Sequence, residues 1–218
     1  MIMLMTAIIT VIAAYLIGSV NFAVIFSKVF LKRDVRKLGS GNAGATNVLR
    51  NAGVLPGILT FVCDALKGLA ASYMGYKMFE YICTAADTSW SYPIVGAYIC
   101  GLFCMLGHIF PIFFQFKGGK GVATSVGIFL VCSPISIISG LGVFAVVVAL
   151  SRTVSLASII AATFVEILSI ILFDTSAPFW LQVLLSFIMY AIVIIKHKEN
   201  IKRLINGTES KFGKGGKK

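Results

Sequence analysis

One stretch decides the architecture: Gly119-Lys120-Gly121-Val122-Ala123-Thr124-Ser125-Val126-Gly127-Ile128-Phe129-Leu130-Val131-Cys132-Ser133-Pro134-Ile135-Ser136-Ile137-Ile138-Ser139-Gly140-Leu141-Gly142-Val143-Phe144-Ala145-Val146-Val147-Val148-Ala149-Leu150. It contains no acidic residue and, after Lys120, no charge at all. Read as one helix it would run about 48 Å, far beyond a hydrocarbon core of about 30 Å. Pro134 has no amide donor and pushes Ser133 away from helical backbone angles. The stretch is therefore expected to break there and to cross twice. Its first half, 119–131, would be only about 20 Å long as a helix, so it would enter from a recessed loop or be shielded by its neighbours.

Working outward, further apolar stretches lie near 2–28, 54–79, 92–115, 154–173 and 178–196. The chain is 58% hydrophobic and 12% charged, with a mean hydropathy of +0.96. A soluble domain carries about 25% charge, so a soluble globular enzyme is excluded. The opening stretch has no basic residue at its front and is too long for a signal peptide, so Met1 to Ser27 is read as the first span. With the cut at Pro134, the chain is expected to be an all-α polytopic membrane helical bundle of seven transmembrane helices. Residues 1–196 would form the integral membrane domain and 197–218 a basic cytoplasmic tail.

Charge orients the bundle. The chain carries 19 Lys and Arg against 8 Asp and Glu. Loop 31–53 holds Lys32, Arg33, Arg36, Lys37 and Arg50 against Asp34, and the tail from Lys196 is similarly basic. Both are expected in the cytoplasm, with the N-terminus outside and the C-terminus inside. Glu80 and Asp87, in a turn near 80–91, and Asp174 in another, fit the outer side. Lys117, Lys120 and Arg152 then fall inside. Lipid headgroups account for this basic balance without nucleic acid as a partner. Cys63, Cys83, Cys100, Cys104 and Cys132 show no CxxC spacing and read as small buried hydrophobes. With two histidines and no clustered carboxylates, neither a metal nor another cofactor is expected.

Three clusters carry chemistry. Gly39-Ser40-Gly41-Asn42-Ala43-Gly44-Ala45-Thr46-Asn47-Val48-Leu49-Arg50 combines glycines that let backbone N–H groups converge on one anion with Ser, Thr and Asn donors and a forked cation. A flexible cytoplasmic loop would also account for the glycines. Lys117-Gly118-Gly119-Lys120-Gly121 sets an ammonium at a helix start, where dipole and free N–H groups favour phosphate, or simply flanks a span. It lacks the GxxxxGK[ST] spacing of a Walker loop. Arg152-Thr153-Val154-Ser155 and Lys196-His197-Lys198-Glu199-Asn200 can cap and anchor helices or join a site. The threading brings all three to one interface. Asp64 and Lys67 share a helix face deep in the second span, where a structural ion pair is favoured over substrate contact. Glu166, in the sixth span, is either protonated or paired across the bundle. His108 suits a buried hydrogen bond as well as a site.

The motifs GSGNAGATNVLR at 39–50, FKGGKGVATS at 116–125, VSLASI at 154–159 and HKENIKRLINGTESK at 197–211 occur in this order between apolar spans. Together they resemble the bacterial acyl phosphate:glycerol-3-phosphate acyltransferase family, PlsY, over nearly the whole chain. Gly18-Ser19 and the Asp64, Leu66, Lys67, Gly68 neighbourhood fit as well. Val20-Asn21 stands where the family commonly has Ile-Pro, and Lys198 where Arg is usual. The resemblance implies an integral enzyme of the bacterial cell membrane with its site facing the cytoplasm. It would move an acyl group from acyl phosphate to the sn-1 hydroxyl of glycerol 3-phosphate, giving lysophosphatidic acid for phospholipid synthesis. By position, Lys120, Ser40, His197 and Asn200 are the expected catalytic residues. Gly41, Asn42, Thr46, Asn47, Arg50, Gly119, Gly121 and Ser155 are expected to bind substrate, and membrane lipids are the surrounding partners.

Two alternatives stand beside that reading. A transporter of a phosphorylated solute would also want cytoplasmic phosphate loops, but internal repeats are absent and the polar motifs crowd one face rather than the midplane. An acyltransferase drawing on acyl-CoA or acyl carrier protein would share the same acceptor chemistry.

Overall fold

The computed structural model describes residues 2–85 and 92–211, all of them helix, turn or loop. Six segments are long and apolar enough to cross a membrane: Met3–Leu31, Val54–Ala85, Pro93–Phe114, Pro134–Ser151, Val154–Ile171 and Phe179–Lys196. A seventh apolar helix, Val122–Cys132, is shorter.

The deciding stretch breaks where proline demands. Helix α6 (Val122–Cys132) ends on Ser133, whose non-helical backbone closes it with an N–H bond to the Phe129 carbonyl, and α7 (Pro134–Ser151) starts with proline in its first turn, where no amide donor is needed. The Ser133 and Ser136 hydroxyls pair at 2.7 Å inside the bend. At 11 residues, α6 is only about 16 Å long. Neighbours shield it, as a short helix in lipid requires. A Cβ on Gly127 would lie 1.8 Å from the Ala65 carbonyl, and one on Gly68 would lie 2.2 Å from that of Thr124. Glycine thus lets α6 lie backbone to backbone against α4 (Val54–Ala85), the small-residue packing that replaces hydrophobic drive within a bilayer. The same device joins α1 (Ile2–Ser19) to α5 (Pro93–Ile109), through Gly18 and Gly107.

The first apolar stretch is one candidate span, Met3–Leu31, built from two helices. Helix α1 ends at Ser19 and α2 (Phe22–Leu31) begins after Asn21, whose side chain accepts the Val24 N–H at 3.1 Å. An N-capping residue favours a helix start over helix continuation. The bend frees the Val20 carbonyl, and the Lys67 ammonium donates to it at 2.7 Å while pairing with Asp64 at 2.8 Å. The two charges therefore neutralise each other and also fasten the α1–α2 corner to α4.

The second span outruns its expected end near 79. Its 32 residues continue to Ala85, because nothing between 79 and 85 breaks a helix and Glu80 pairs with Lys77 on the exposed face at 2.7 Å. Glu80 is thus helical rather than in a turn, and Asp87 lies outside the described residues. Helices α8 (Val154–Ile171) and α9 (Phe179–Lys196) complete the bundle around a core of Met105, Val126, Phe129, Ile137, Val165 and Met189. Cys100, Cys104 and Cys132 are buried as expected; Cys63 and Cys83 are only half-buried, since their faces of α4 turn outward.

Candidate active site

Short helix α3 (Ala45–Ala52) and the loop before it form the first wall. Gly41 has φ +72, a left-handed conformation that a side chain would strain, and its N–H closes a turn on the Leu38 carbonyl at 3.0 Å. Asn47, expected to bind substrate, borders the cavity and is also hydrogen-bonded throughout this loop. Its amide nitrogen is within 3.0 Å of the Val35, Leu38 and Asn42 carbonyls, and its oxygen accepts from the Ser40 N–H and Asn51. It shapes the loop that presents Ser40, Gly41 and Asn42. Arg36 ties the loop to the next one, pairing with Asp34 at 2.7 Å and donating to the Phe114 carbonyl at 2.7 Å. The Arg36 hydrogen bond holds the Asp34 carboxyl below its usual range.

The second wall is the glycine-lysine loop. Gly118 and Gly119 donate to the Ile109 and His108 carbonyls at 3.1 and 3.2 Å, pinning the loop to the end of α5. Gly119, expected to bind substrate, is buried and is not among the residues that line the cavity. A Cβ there would lie 2.2 Å from His108 Nε2 and 2.7 Å from the Ala43 carbonyl, so its smallness joins the two loops. Gly121, with φ +88, turns the chain into α6. Lys120 projects between the walls and donates to Asn200 Oδ1. Burial, together with Arg203, Arg50 and Lys196 nearby, outweighs Glu209 and brings its pKa down to about 8. Lys117 is exposed.

The third wall comes from α8, the end of α9 and amphipathic α10 (Lys198–Ile205). His197 is buried, with Nδ1 2.8 Å from the Val193 carbonyl. Burial first, then the Lys120 charge, push its pKa down to about 4, leaving a neutral ring with Nδ1–H donated and Nε2 as acceptor. The tail folds back to complete this wall. Glu209 accepts from Ser155 Oγ at 2.9 Å, Asn200 Nδ2 at 2.8 Å and Arg203 Nε at 2.6 Å, and Arg50 reaches the Ser210 carbonyl at 3.3 Å. Burial opposes the Glu209 charge, but these three hydrogen bonds prevail and its pKa is lowered. Glu209 and Arg203 are site residues that the sequence motifs do not single out; the one available signal is an acidic residue within so basic a tail.

The walls enclose a cavity of about 1030 Å³. Ser40, Gly41, Asn42, Thr46, Asn47, Arg50, Lys120, Gly121, Ser155, His197 and Asn200 all border it. Asp64 and His108 border it as well, with His108 Nδ1 3.5 Å from Asp64 Oδ1. Beyond this polar mouth the lining turns apolar, through Phe129, Leu141, Phe144, Ala162 and Val165. Glu166 lies there and takes a hydrogen bond from Ser186 on α9 at 3.2 Å, so its cross-bundle partner is a hydroxyl. A cationic mouth continuous with an apolar shaft accepts a molecule that is anionic at one end and aliphatic at the other.

Comparison with known proteins gives a consistent result. A family model described as glycerol-3-phosphate acyltransferase matches residues 8–207. Glycerol-3-phosphate acyltransferase 2 of Bacillus anthracis is 41% identical over 205 residues, covering 94% of this chain and 98% of that protein. The glycerol-3-phosphate acyltransferase of Finegoldia magna is 39% identical over 203 residues, 93% of this chain and 94% of the relative. Among solved structures, the glycerol 3-phosphate form of PlsY (YgiH), an integral membrane glycerol 3-phosphate acyltransferase, superposes with a TM-score of 0.82 at 35% identity, covering 95% of this chain and 96% of that one. Its lysophosphatidic acid form gives 0.80 at 35% identity, covering 95% of each.

Proposed function

Because this chain belongs to the glycerol-3-phosphate acyltransferase family, integral membrane enzymes of bacterial phospholipid synthesis, we propose that it takes its acyl group from acyl phosphate and places it on the sn-1 hydroxyl of glycerol 3-phosphate. Lysophosphatidic acid and inorganic phosphate are the products. The observation that carries this reading is the single cavity joining a cationic mouth to an apolar shaft, which matches a donor with a phosphate head and a fatty tail.

Seven crossings fit this cavity, with α6 as the short one, the N-terminus outside and the C-terminus in the cytoplasm. Positive charge supports that orientation, since Lys120, Arg50, Arg152, Lys196 and Arg203 all belong to segments on the mouth side. The membrane domain is residues 1–196, and the tail from 197 supplies part of the site.

Acyl phosphate is a mixed anhydride whose leaving group is phosphate, so no covalent nucleophile on the protein is needed. The acceptor oxygen attacks the acyl carbonyl, the carbonyl–phosphate bond breaks, and the hydroxyl proton must go elsewhere. Ser40, the loop N–H groups and Lys120 hold the donor's phosphate and offset the charge that builds on it. Arg50, Ser155, His197 and Asn200 hold glycerol phosphate. Ser155 donates its O–H to Glu209 in a hydrogen bond, so its oxygen remains an acceptor for a glycerol hydroxyl, and Asn200 has a second N–H to offer. His197 Nε2 also accepts. With a pKa near 4 it orients the attacking hydroxyl better than it captures a proton. The departing phosphate, with a second ionisation near pKa ~6, takes that proton instead. Catalysis thus rests on bringing two anions together in one pocket.

The decisive experiment supplies purified protein with glycerol 3-phosphate and, separately, acyl phosphate, acyl-CoA and acyl carrier protein thioester. Lysophosphatidic acid from acyl phosphate alone is the expected result. Transfer only from a thioester refutes the donor assignment, and transport of glycerol 3-phosphate without acylation refutes the enzyme.

A further inference from the structure

The apolar shaft has a polar floor. Cavity-lining residues run along α8 from Val154 to Glu166, along α9 from Lys196 back to Met189, and along α6 from Val122 to Phe129, while Ile137 is the outermost on α7. The lining therefore ends at Phe129, Ile137, Glu166 and Met189, and the three apolar members belong to one packed cluster. Glu166 is 6% exposed, yet its Oε2 has no hydrogen-bond partner and Oε1 has only the Ser186 hydroxyl. An unpartnered buried carboxyl oxygen is a cost that an apolar residue would avoid. Packing alone therefore gives no reason for a carboxyl at this depth.

Resting on the acyl-transfer reading above, we propose that Glu166 sets the length of acyl chain that the enzyme prefers. Methylenes in the shaft displace apolar contacts for apolar contacts, whereas a methyl end pushed to the floor meets a carboxyl and removes what hydration that group retains. From Ser155 to Glu166 the α8 axis advances about 16 Å, and from His197 to Met189 the α9 axis advances about 12 Å, at ~1.5 Å per residue. An extended hydrocarbon advances about 1.25 Å per carbon from its bond length and angle, so the floor is met by a chain of about 10 to 13 carbons beyond the mouth. Longer chains must fold or leave the shaft sideways. Glu166 is a specificity residue in this scheme and touches no reacting atom.

The test measures kcat/KM for saturated acyl phosphates in two-carbon steps, with wild type, Glu166→Gln, Glu166→Leu and Glu166→Ala. Glutamine keeps both size and polarity, so its length profile should follow the wild type. Leucine and alanine should move the optimum to longer chains, with each additional buried methylene worth about fourfold in kcat/KM, from about 0.8 kcal/mol per methylene. Because leucine fills the site and alanine empties it, the two would disturb packing in opposite ways, and either one that folds suffices. A wild type active on acyl phosphate, with a length profile that no variant moves or that falls uniformly, overturns this proposal alone. A wild type inactive with every acyl phosphate overturns the acyl-transfer reading and this proposal with it.

Discussion

Lys120 makes the sharpest prediction, because its charge is held in place against two opposing costs. It is desolvated and faces Arg50, Arg203 and Lys196, which bring its pKa down to about 8. Between pH 7 and 9 its charged fraction then falls from about nine-tenths to about one-tenth, while phosphate esters, whose second ionisation lies near pKa ~6, are already about nine-tenths doubly ionised at pH 7 and change little above it. If the ammonium binds donor phosphate, kcat/KM for acyl phosphate at saturating glycerol 3-phosphate should fall about tenfold across that window. Lys120→Met keeps the aliphatic stem and removes the charge. Losing a charge-assisted contact costs about 1.5–3 kcal/mol, so at pH 7 the variant should be tenfold to hundredfold slower and its profile flat from pH 7 to 9. The sign for stability is opposite. A lysine whose folded pKa lies below its unfolded value binds fewer protons when folded, so stability rises with pH through the interval from about 8 to about 10.4 and the charge is a burden at neutral pH. Unliganded Lys120→Met should therefore unfold no earlier than wild type in a thermal melt, which separates lost binding from lost fold. An unchanged slope between pH 7 and 9 in the variant would refute the assignment, as would an equal loss in Lys117→Met, since Lys117 is exposed and outside the cavity.

Four further outcomes follow from the geometry. His197→Gln retains hydrogen bonding but cannot take a proton; KM for glycerol 3-phosphate should rise while saturated turnover stays appreciable, and abolished turnover in a folded, substrate-binding variant would make His197 the base. Replacing all five cysteines by Ala or Ser should leave turnover intact, and mass spectrometry of enzyme given donor without acceptor should find no acyl adduct. Gly119→Ala must drive a methyl to within 2.2 Å of His108 Nε2, so activity should drop through a displaced loop, and a variant with wild-type kinetics would show that the loop yields freely. Reporters fused after Thr153 and at the C-terminus should both read cytoplasm and one near Asp87 the exterior; Thr153 and Asp87 on the same side would refute seven crossings.

What was legible in the sequence was set by local chemistry. Pro134 announces its own break, and the glycines at 39, 41 and 121 announce turns that only they make without strain. The gathering of Ser40, Arg50, Lys120, Ser155, His197 and Asn200 was readable from charge and threading, since charge alone placed their segments on one side. Illegible were the features that need a partner distant in sequence. Both asparagines border the cavity, yet nothing local distinguishes Asn47, which spends its amide on three carbonyls of its own loop, from Asn200, which bonds Lys120 and Glu209 across the site. Gly119 and Gly121 look alike on paper, yet one packs against His108 and the other lines the site. The corner at Val20 is weakly signalled by Asn21, and it is completed by a lysine 47 residues away. Glu209 closes on Ser155 across 54 residues, a pairing that no periodicity foretells.

The shortness of α6 bears on how traffic reaches the enzyme. A helix of about 16 Å, starting at the lysine loop, sets that loop below the headgroup plane if its other end approaches the far surface as closely as the full-length spans do. On the function proposed above, the donor then glides in from the inner leaflet with its tail never leaving hydrocarbon, and the product drifts out the same way. Encounter becomes a two-dimensional search. On the same proposal, the quantity that governs flux on the lipid side is mole fraction in the bilayer rather than molarity in bulk water, and only glycerol 3-phosphate and released phosphate travel through the aqueous phase.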